Sequence, residues 1–372
     1  MPPTTDSTFL TRVEIRNFKS IAHCDVRLSP LNFLVGPNGS GKSNFVDALR
    51  FVRDCMVDNF DQALSRQRGT SRSIVRAGSD LMAFRLEFVS AAVEGFYELE
   101  LSFPAGRSPV LRSERCHTRE FYFDIHGGVL TGSTIPLLAA APKDRLFLTA
   151  VSGLAPFEPV YRALESMKFY APDPIIAPLA SPGSDDVLDS DGENLARIFD
   201  KLGDMEREHV EESLRILVPG LESLSVRDVE GAKILLFQED GTQFFTTSMS
   251  DGTIRALTLL VAMFQPAVRE GRVPLMCFEE PETGIHPGAL GVILDACTEA
   301  SLTTQLIVTS HSPDLLDDKD IPAESILAVV KDGDTKIGPI AQGLRDGIRR
   351  RLFTGGNLLG STDLEPEPVP MT

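Results

Sequence analysis

Gly36-Pro37-Asn38-Gly39-Ser40-Gly41-Lys42-Ser43 is a complete G-x-x-x-x-G-K-[ST] stretch, and its surroundings decide how it is read. Ahead of it, Leu31-Asn32-Phe33-Leu34-Val35 is an apolar run with the length of a buried strand. Behind it, Phe45, Leu49, Val52 and Met56 recur at helical spacing and predict a helix that runs to about Asn59. Strand, glycine-rich turn and helix in that order make a phosphate cradle. The glycines let successive backbone N–H groups turn inward on an anion, and the new helix aims the positive end of its dipole at the same point. Lys42 adds a cation for the outer phosphates, Ser43 a hydroxyl suited to Mg2+, and Asn44 follows on the first helical turn. The pattern implies a nucleoside triphosphate as ligand, with Mg2+ as its companion.

The chain of 372 residues has room for one large α/β domain or two smaller ones. No apolar run approaches the roughly 20 residues of a membrane span. The first residues lack the basic start and apolar core of a secretory signal, so a cytoplasmic location is expected. Five cysteines (Cys24, Cys55, Cys116, Cys277 and Cys297) are scattered without a C-x-x-C pair, which fits reduced thiols rather than a disulfide framework or a zinc site. A net charge of −17 excludes a protein that coats nucleic acid with its whole surface. A local basic groove stays open, and Arg66, Arg68, Arg72 and Arg76 are the candidates for DNA contact, with a second cluster at Arg345, Arg349, Arg350 and Arg351.

Away from the cradle, strands are expected at 12–16 and 24–28, then an antiparallel pair at 83–90 and 96–103 turning at Glu94-Gly95, then a strand at 120–125. From about 131 to 245 the pattern breaks into proline-interrupted pieces, helices near 161–167, 195–202 and 214–217, and strands at 223–229 and 233–238. Asp191-Gly192-Glu193 reads as the N-terminal cap of the helix carrying Leu195, because the acidic residues around it lack the spacing of a calcium loop. Residues 363–372 are acidic and proline-rich and are expected to form a disordered tail. The result is one unit over 1–362: an N-terminal β-rich lobe (about 1–130), a helical insertion (about 131–245) and a second lobe (about 246–345).

That second lobe carries the rest of a hydrolytic site. Phosphate-loop enzymes must also hold Mg2+ and aim a water at the outer phosphate. The apolar run Pro274-Leu275-Met276-Cys277-Phe278 leads directly into Glu279-Glu280-Pro281-Glu282. Acids at the end of a buried strand suit those tasks: Glu279 on the metal side, Glu280 polarising the water. A further buried strand, Leu306-Ile307-Val308-Thr309-Ser310, ends at His311, which is placed to sense the outer phosphate. Ser250-Asp251-Gly252 opens a helix and makes a second anion cradle from hydroxyl, N–H groups and dipole. One triphosphate does not need two cradles from one chain, so the second is expected to cap the nucleotide of another copy.

These pieces, in this order, resemble the ABC-type ATPase heads of the SMC, RecF and OLD group, and most of all compact OLD-like predicted ATPases often described as AAA-family. The resemblance rests on residues 15–21, 36–44, 191–199, 250–257, 277–287 and 309–317, and spans nearly the whole chain. It implies a phosphate-loop α/β fold, ATP and Mg2+ as ligands, ATP hydrolysis, and a head-to-tail dimer with two ATPs between the subunits. Under it Ser250, Asp251 and Gly252 match the signature turn, Glu279 and Glu280 the Walker B acid and base, residues 284–287 the D-loop, and His311 the switch histidine. Three departures stand out. The signature has Asp251 where glycine is usual, the metal-side acid is Glu279 where SMC proteins have aspartate, and no Q-loop glutamine is placed, Gln62 and Gln67 being the candidates. Long coiled-coil arms are missing, and too little chain follows Asp317 for an OLD nuclease domain, which makes a separate nuclease-like effector the expected partner. The function so implied is an ATP-driven switch acting on DNA or on a DNA-directed effector, in repair or anti-phage defence. The alternatives are a partner-gated signalling or toxin–antitoxin ATPase without DNA contact, or a transporter's ATP-binding subunit.

Overall fold

The computed structural model describes residues 9–67, 73–89, 93–104, 108–136, 144–179, 181, 186–361 and 364–367. The chain opens with β1 (Phe9–Phe18), β2 (Ile21–Arg27) and β3 (Leu31–Val35), then α1 (Lys42–Val57) and α2 (Phe60–Ser65). A run of strands follows: β4 (Leu81–Val89), β5 (Glu94–Ser102), β6 (Val110–Thr118), β7 (Tyr122–His126) and β8 (Val129–Ser133). Next come α3 (Phe147–Ala150), α4 (Glu158–Glu165), β9 (Lys168–Tyr170), α5 (Leu195–Asp200) and α6 (Asp204–Leu217). After these lie β10 (Leu221–Val229), β11 (Ala232–Glu239), β12 (Thr242–Phe245), α7 (Asp251–Phe264) and α8 (Pro266–Arg269). The remainder is β13 (Leu275–Glu279), α9 (Leu290–Ala300), β14 (Gln305–Ser310), β15 (Ile326–Asp332), β16 (Asp334–Pro339), α10 (Gln342–Arg349) and α11 (Gly355–Ser361).

The central sheet runs β16-β15-β3-β14-β13-β9, with β15, β3, β14, β13 and β9 parallel and β16 antiparallel at one edge. Parallel strands buried on both faces read as continuous apolar runs, and β3, β13 and β14 are buried almost throughout. Alternate residues divide between two cores. Leu34, Cys277 and Ile307 point toward α1 and the antiparallel sheet β2-β1-β4-β5-β6-β7-β8, where Phe18, Phe51 and Phe84 meet. Phe33, Phe278 and Val308 point the other way, onto α5, α6, α7 and α9. The architecture is therefore a phosphate-loop α/β fold with a β-rich layer on one face and helices on the other. A small sheet, β10-β11-β12, sits beside the helical layer.

Several sequence expectations shift. Glu94 and Gly95 are not a turn, since they pair with Val89 and Phe88 inside the β4–β5 ladder. The stretch 131–245 is more than a helical insertion: β9 joins the central sheet beside β13, and three strands make a sheet of their own. Asp191 does not cap α5. Its side chain accepts from the Glu193 N–H in a local turn, while Asn194 is the capping position and spends its buried amide on Asp189 and Val187. Residues 364–367, assigned to a loose tail, lie against β16: Leu364 is buried, Pro366 bridges Ile340 and the Glu367 N–H donates to Pro339 O.

Candidate active site

The strand register brings the motifs together. Val35 pairs with Ser310 and Thr309 with Glu279, so the segments leaving β3, β14 and β13 emerge side by side at one end of the sheet. The phosphate loop leaves β3 there, and α1 begins at Lys42 with Gly41 as its N-cap at φ 110°, a conformation that side chains with a Cβ rarely adopt. A Cβ on Gly41 would also stand 2.2 Å from Thr335 Oγ1. The reason is a strut: Thr335 Oγ1, buried on β16, donates to Ser40 O at 2.8 Å and meets Ser20 Oγ at 2.7 Å. Asn44 Nδ2 donates to the same Ser20 oxygen at 2.6 Å. Backbone bends and side-chain bonds thus fix the shape of the loop.

Lys42 is buried, and its ammonium donates to Gly36 O at 2.8 Å and Pro37 O at 3.2 Å, across the mouth of the loop. Burial lowers its pKa, and the charges of Glu280 and Glu282 pull it back up, which puts both carboxylates within electrostatic reach of the cradle. Ser40 Oγ is buried without a hydrogen-bond partner among the described residues. An orphaned hydroxyl and an ammonium satisfied only by carbonyls are what a triphosphate would complete.

Glu280 follows β13 in a left-handed conformation, φ 47°, held by its N–H donating to Thr309 O at 3.0 Å and Thr309 Oγ1 at 3.2 Å. That bend turns the side chain back, and Glu280 Oε1 lies 3.3 Å from His311 Nδ1. Glu282, whose role the sequence does not reveal, is nearly buried: its Oε1 accepts from Ser310 Oγ at 2.6 Å and from the His311 N–H at 3.2 Å, fixing the turn after β14. Glu279 lines a cavity of about 130 Å3 with Ser43, Asp47, Arg50, Arg66 and Gln67. The hydroxyl and carboxylate expected on the metal side therefore share one space, a donor set of oxygens that fits Mg2+. Of the two candidate glutamines, Gln67 is the one that reaches this cavity, and it is buried.

Ser250 caps α7, its Oγ accepting from the Thr253 N–H at 3.2 Å. A Cβ on Gly252 would stand 2.1 Å from Gly284 O, so the signature turn packs on the loop that follows Glu282. Among the described residues no hydrogen bond or ion pair joins residues 250–252 to residues 36–44. Of the arginines considered for DNA contact, Arg66 pairs with Asp58 at 2.6 Å and Arg76 with Asp334 at 2.6 Å, while Arg68 and Arg72 lie outside the described residues. Arg345, Arg349 and Arg351 are likewise ion-paired, with Glu367, Glu324 and Asp320. A larger cavity of about 520 Å3 opens at the other end of the sheet, near Leu31, Pro274 and Gln305, and carries none of the phosphate-loop residues. No described helix is long and apolar enough to cross a membrane.

Comparison with known proteins bears on the fold and on the matched stretches of sequence. A family model described as "AAA domain, putative AbiEii toxin, Type IV TA system" matches residues 166–317, and one described as "RecF/RecN/SMC N terminal domain" matches residues 9–73. The DNA replication and repair protein RecF of Porphyromonas gingivalis is 36% identical over 136 residues, 36% of this chain and 33% of that protein. The matched stretch thus spans about a third of that relative's length. The chromosome partition protein Smc of Halothermothrix orenii is 52% identical over 46 residues, 12% of this chain and 4% of that one. Among solved structures, an Smc head bound to the C-winged helix domain of ScpA superposes with a TM-score of 0.54 at 16% identity, covering 90% of this chain and 99% of the other. The Pyrococcus furiosus Smc head with an extended coiled coil gives 0.52 at 13% identity, covering 93% and 99%. The fold is that of the SMC heads, and the matched stretches are similar to the RecF and SMC proteins.

Proposed function

We propose that this head binds and hydrolyses ATP as a dimeric switch acting on DNA, or on a DNA-directed effector, in repair or anti-phage defence. The observation that carries the reading is the convergence of Lys42, Glu280 and His311 at neighbouring strand ends. Residues 36–44 would hold the phosphates, with Lys42 leaving its carbonyl partners for them. Ser43 and Glu279 would hold a divalent cation, which when bound would neutralise charge on the phosphates. Glu280 takes the proton of the attacking water, and His311 reads the outer phosphate from the turn that Glu282 fixes. A cavity of about 420 Å3 beside Ser20, lined also by Lys19, Ser73 and Arg76, offers room for the nucleoside.

Ser250 and Asp251 are exposed at the N-terminus of α7, which supports a second copy as the client of the signature turn. Ser250 and the N-terminus of α7 would then complete the neighbour's site, and a nuclease-like effector would read the closed state. The names of the RecF relatives favour DNA as the trigger. A different observation favours partner gating without DNA: the described arginine clusters are largely neutralised by their own acids, on a chain of net charge −17. The description of the 166–317 family model, a toxin–antitoxin system, leans the same way.

Steady-state ATP turnover with and without linear, nicked and single-stranded DNA separates the two. Stimulation by one form, lost at higher salt and on charge reversal at Arg68 and Arg72, supports the DNA switch. Turnover indifferent to every form at low salt refutes it in favour of partner gating.

A further inference from the structure

Ser43, Asp47 and Arg50 follow one another at i, i+4 and i+7 on α1 and share the face turned toward the end of β13. Arg50 Nη2 donates to Glu279 Oε1 at 2.6 Å, and its Nη1 donates to Asp47. The guanidinium also lies 5.2 Å from the ring centroid of Phe169, which sits on β9 and pairs with Cys277 of β13. Asp47 is itself held, since its other oxygen accepts from Lys19 Nζ at 2.6 Å. The guanidinium is therefore fixed by two carboxylates and a ring. Among the described residues Glu279 Oε1 has this one partner, and Oε2 makes no hydrogen bond.

We propose that Arg50 is a positioning residue that pins one oxygen of Glu279 and so presents the other to the divalent cation beside Ser43. The inference rests on the metal-side reading of Glu279. A glutamate has one methylene more than an aspartate and one more rotor to fix. Left free, its carboxylate would sample orientations useless to a metal, at a cost in side-chain entropy. A planar, two-pronged donor suits the task because it can hold Asp47 and Glu279 at once, which a lysine ammonium does less well. Outer-shell partners of this sort set metal affinity by about 10- to 100-fold.

A second role for the same contact predicts the opposite sign. If Arg50 were only a counter-ion standing in for the metal, its positive charge would compete, and removing it would tighten metal binding. Tether and competitor are thus distinguished by direction.

The test uses the full chain and a fluorescent non-hydrolysable ATP analogue, its affinity measured in EDTA and in saturating Mg2+. By linkage, the gain in affinity on adding Mg2+ reports the metal's own binding to the site. Arg50→Met is expected to keep the EDTA affinity and to lose about 10- to 100-fold of the Mg2+ gain, with Arg50→Lys intermediate. A gain that is unchanged or enlarged overturns the proposal. If Arg50→Met also loses the EDTA affinity, Asp47→Asn decides, because it keeps the shape and loosens one anchor of Arg50. There the gain must fall, and an undiminished gain overturns the tether. Glu279→Gln separates the layers: a full gain in that variant refutes the metal-side reading of Glu279 itself. A gain lost in Glu279→Gln but kept in Arg50→Met refutes the tether alone.

Discussion

Glu114 offers a stability measurement whose size and sign follow from its surroundings. The residue is fully buried on β6, in the layer between the antiparallel sheet and α1. Its carboxylate accepts from Tyr97 OH at 3.0 Å, the Phe147 N–H at 2.5 Å and the Leu148 N–H at 2.9 Å, tying β6 to the start of α3. Burial pushes the carboxyl up to about 7, against the pull of those three donors. The folded protein therefore binds this proton more tightly than the unfolded chain. Its contribution is fully present below the ordinary carboxylate range and is lost as pH rises through about 7. At about 1.4 kcal/mol per tenfold change in proton affinity, the loss is about 3 kcal/mol. With an unfolding entropy of about 2 cal/mol/K per residue over 372 residues, that is a Tm difference of about 4 °C. Glu114→Gln cannot titrate, so the comparison is between two pH profiles of Tm. The wild-type profile is expected to fall by about 3 °C relative to the variant between pH 5 and pH 9, the rest of the loss lying below pH 5. All other groups cancel in the difference. Parallel profiles would refute the argument, and a wild type that gains on the variant with rising pH would reverse its sign.

Other outcomes follow from the site. Lys42→Ala removes a buried charge-assisted donor and is expected to weaken ATP binding by about 10- to 100-fold in equilibrium titration; unchanged affinity contradicts the cradle. Glu280→Gln should retain ATP yet lose about 10²- to 10⁴-fold in turnover, and should accumulate as a dimer with ATP in size-exclusion light scattering; a strictly monomeric variant sinks the sandwich. At the same position the left-handed backbone favours glycine, so Glu280→Gly should be more stable than Glu280→Ala by about 1 kcal/mol in urea titration, although both lose turnover. Gly252→Ala drives a Cβ into Gly284 O and should abolish ATP-dependent dimerisation while leaving nucleotide affinity intact; a normal dimer would show that the turn is not at the interface.

The parts of this fold written as long apolar runs or fixed motifs were readable from the sequence. β3, β13 and β14 are buried on both faces, and α1 and α7 carry wide apolar faces behind their caps. β6 was not readable. A bulge opposite Glu100 and Leu101 slips its phase, so Glu114 rather than an apolar residue points inward, among exposed charges. β9 and β12 are too short to show a period, and β15–β16 matters through a single contact, Thr335 to the phosphate loop, that no local pattern announces. The same divide runs through the site. Lys42, Ser43, Glu279, Glu280 and His311 sit in recognisable contexts and Gln67 was one of two candidates, whereas Glu282 and Arg50 declare themselves only once strands and helix are packed. Arg50 left one faint signal, its helical spacing from Ser43.

The placement of β3 has a consequence for how the protein is made. The phosphate loop is specified within the first 44 residues, but both strands that flank β3 come from far downstream: β14 at Gln305–Ser310 and β15 at Ile326–Asp332. The Thr335 strut arrives later still. During synthesis the loop sequence emerges long before the strands that flank it, and such long-range closure is slow. If the proposed reading holds, ATP binding would be a test of completion: a chain ending before β15 would leave one edge of β3 unpaired and lack the Thr335 strut.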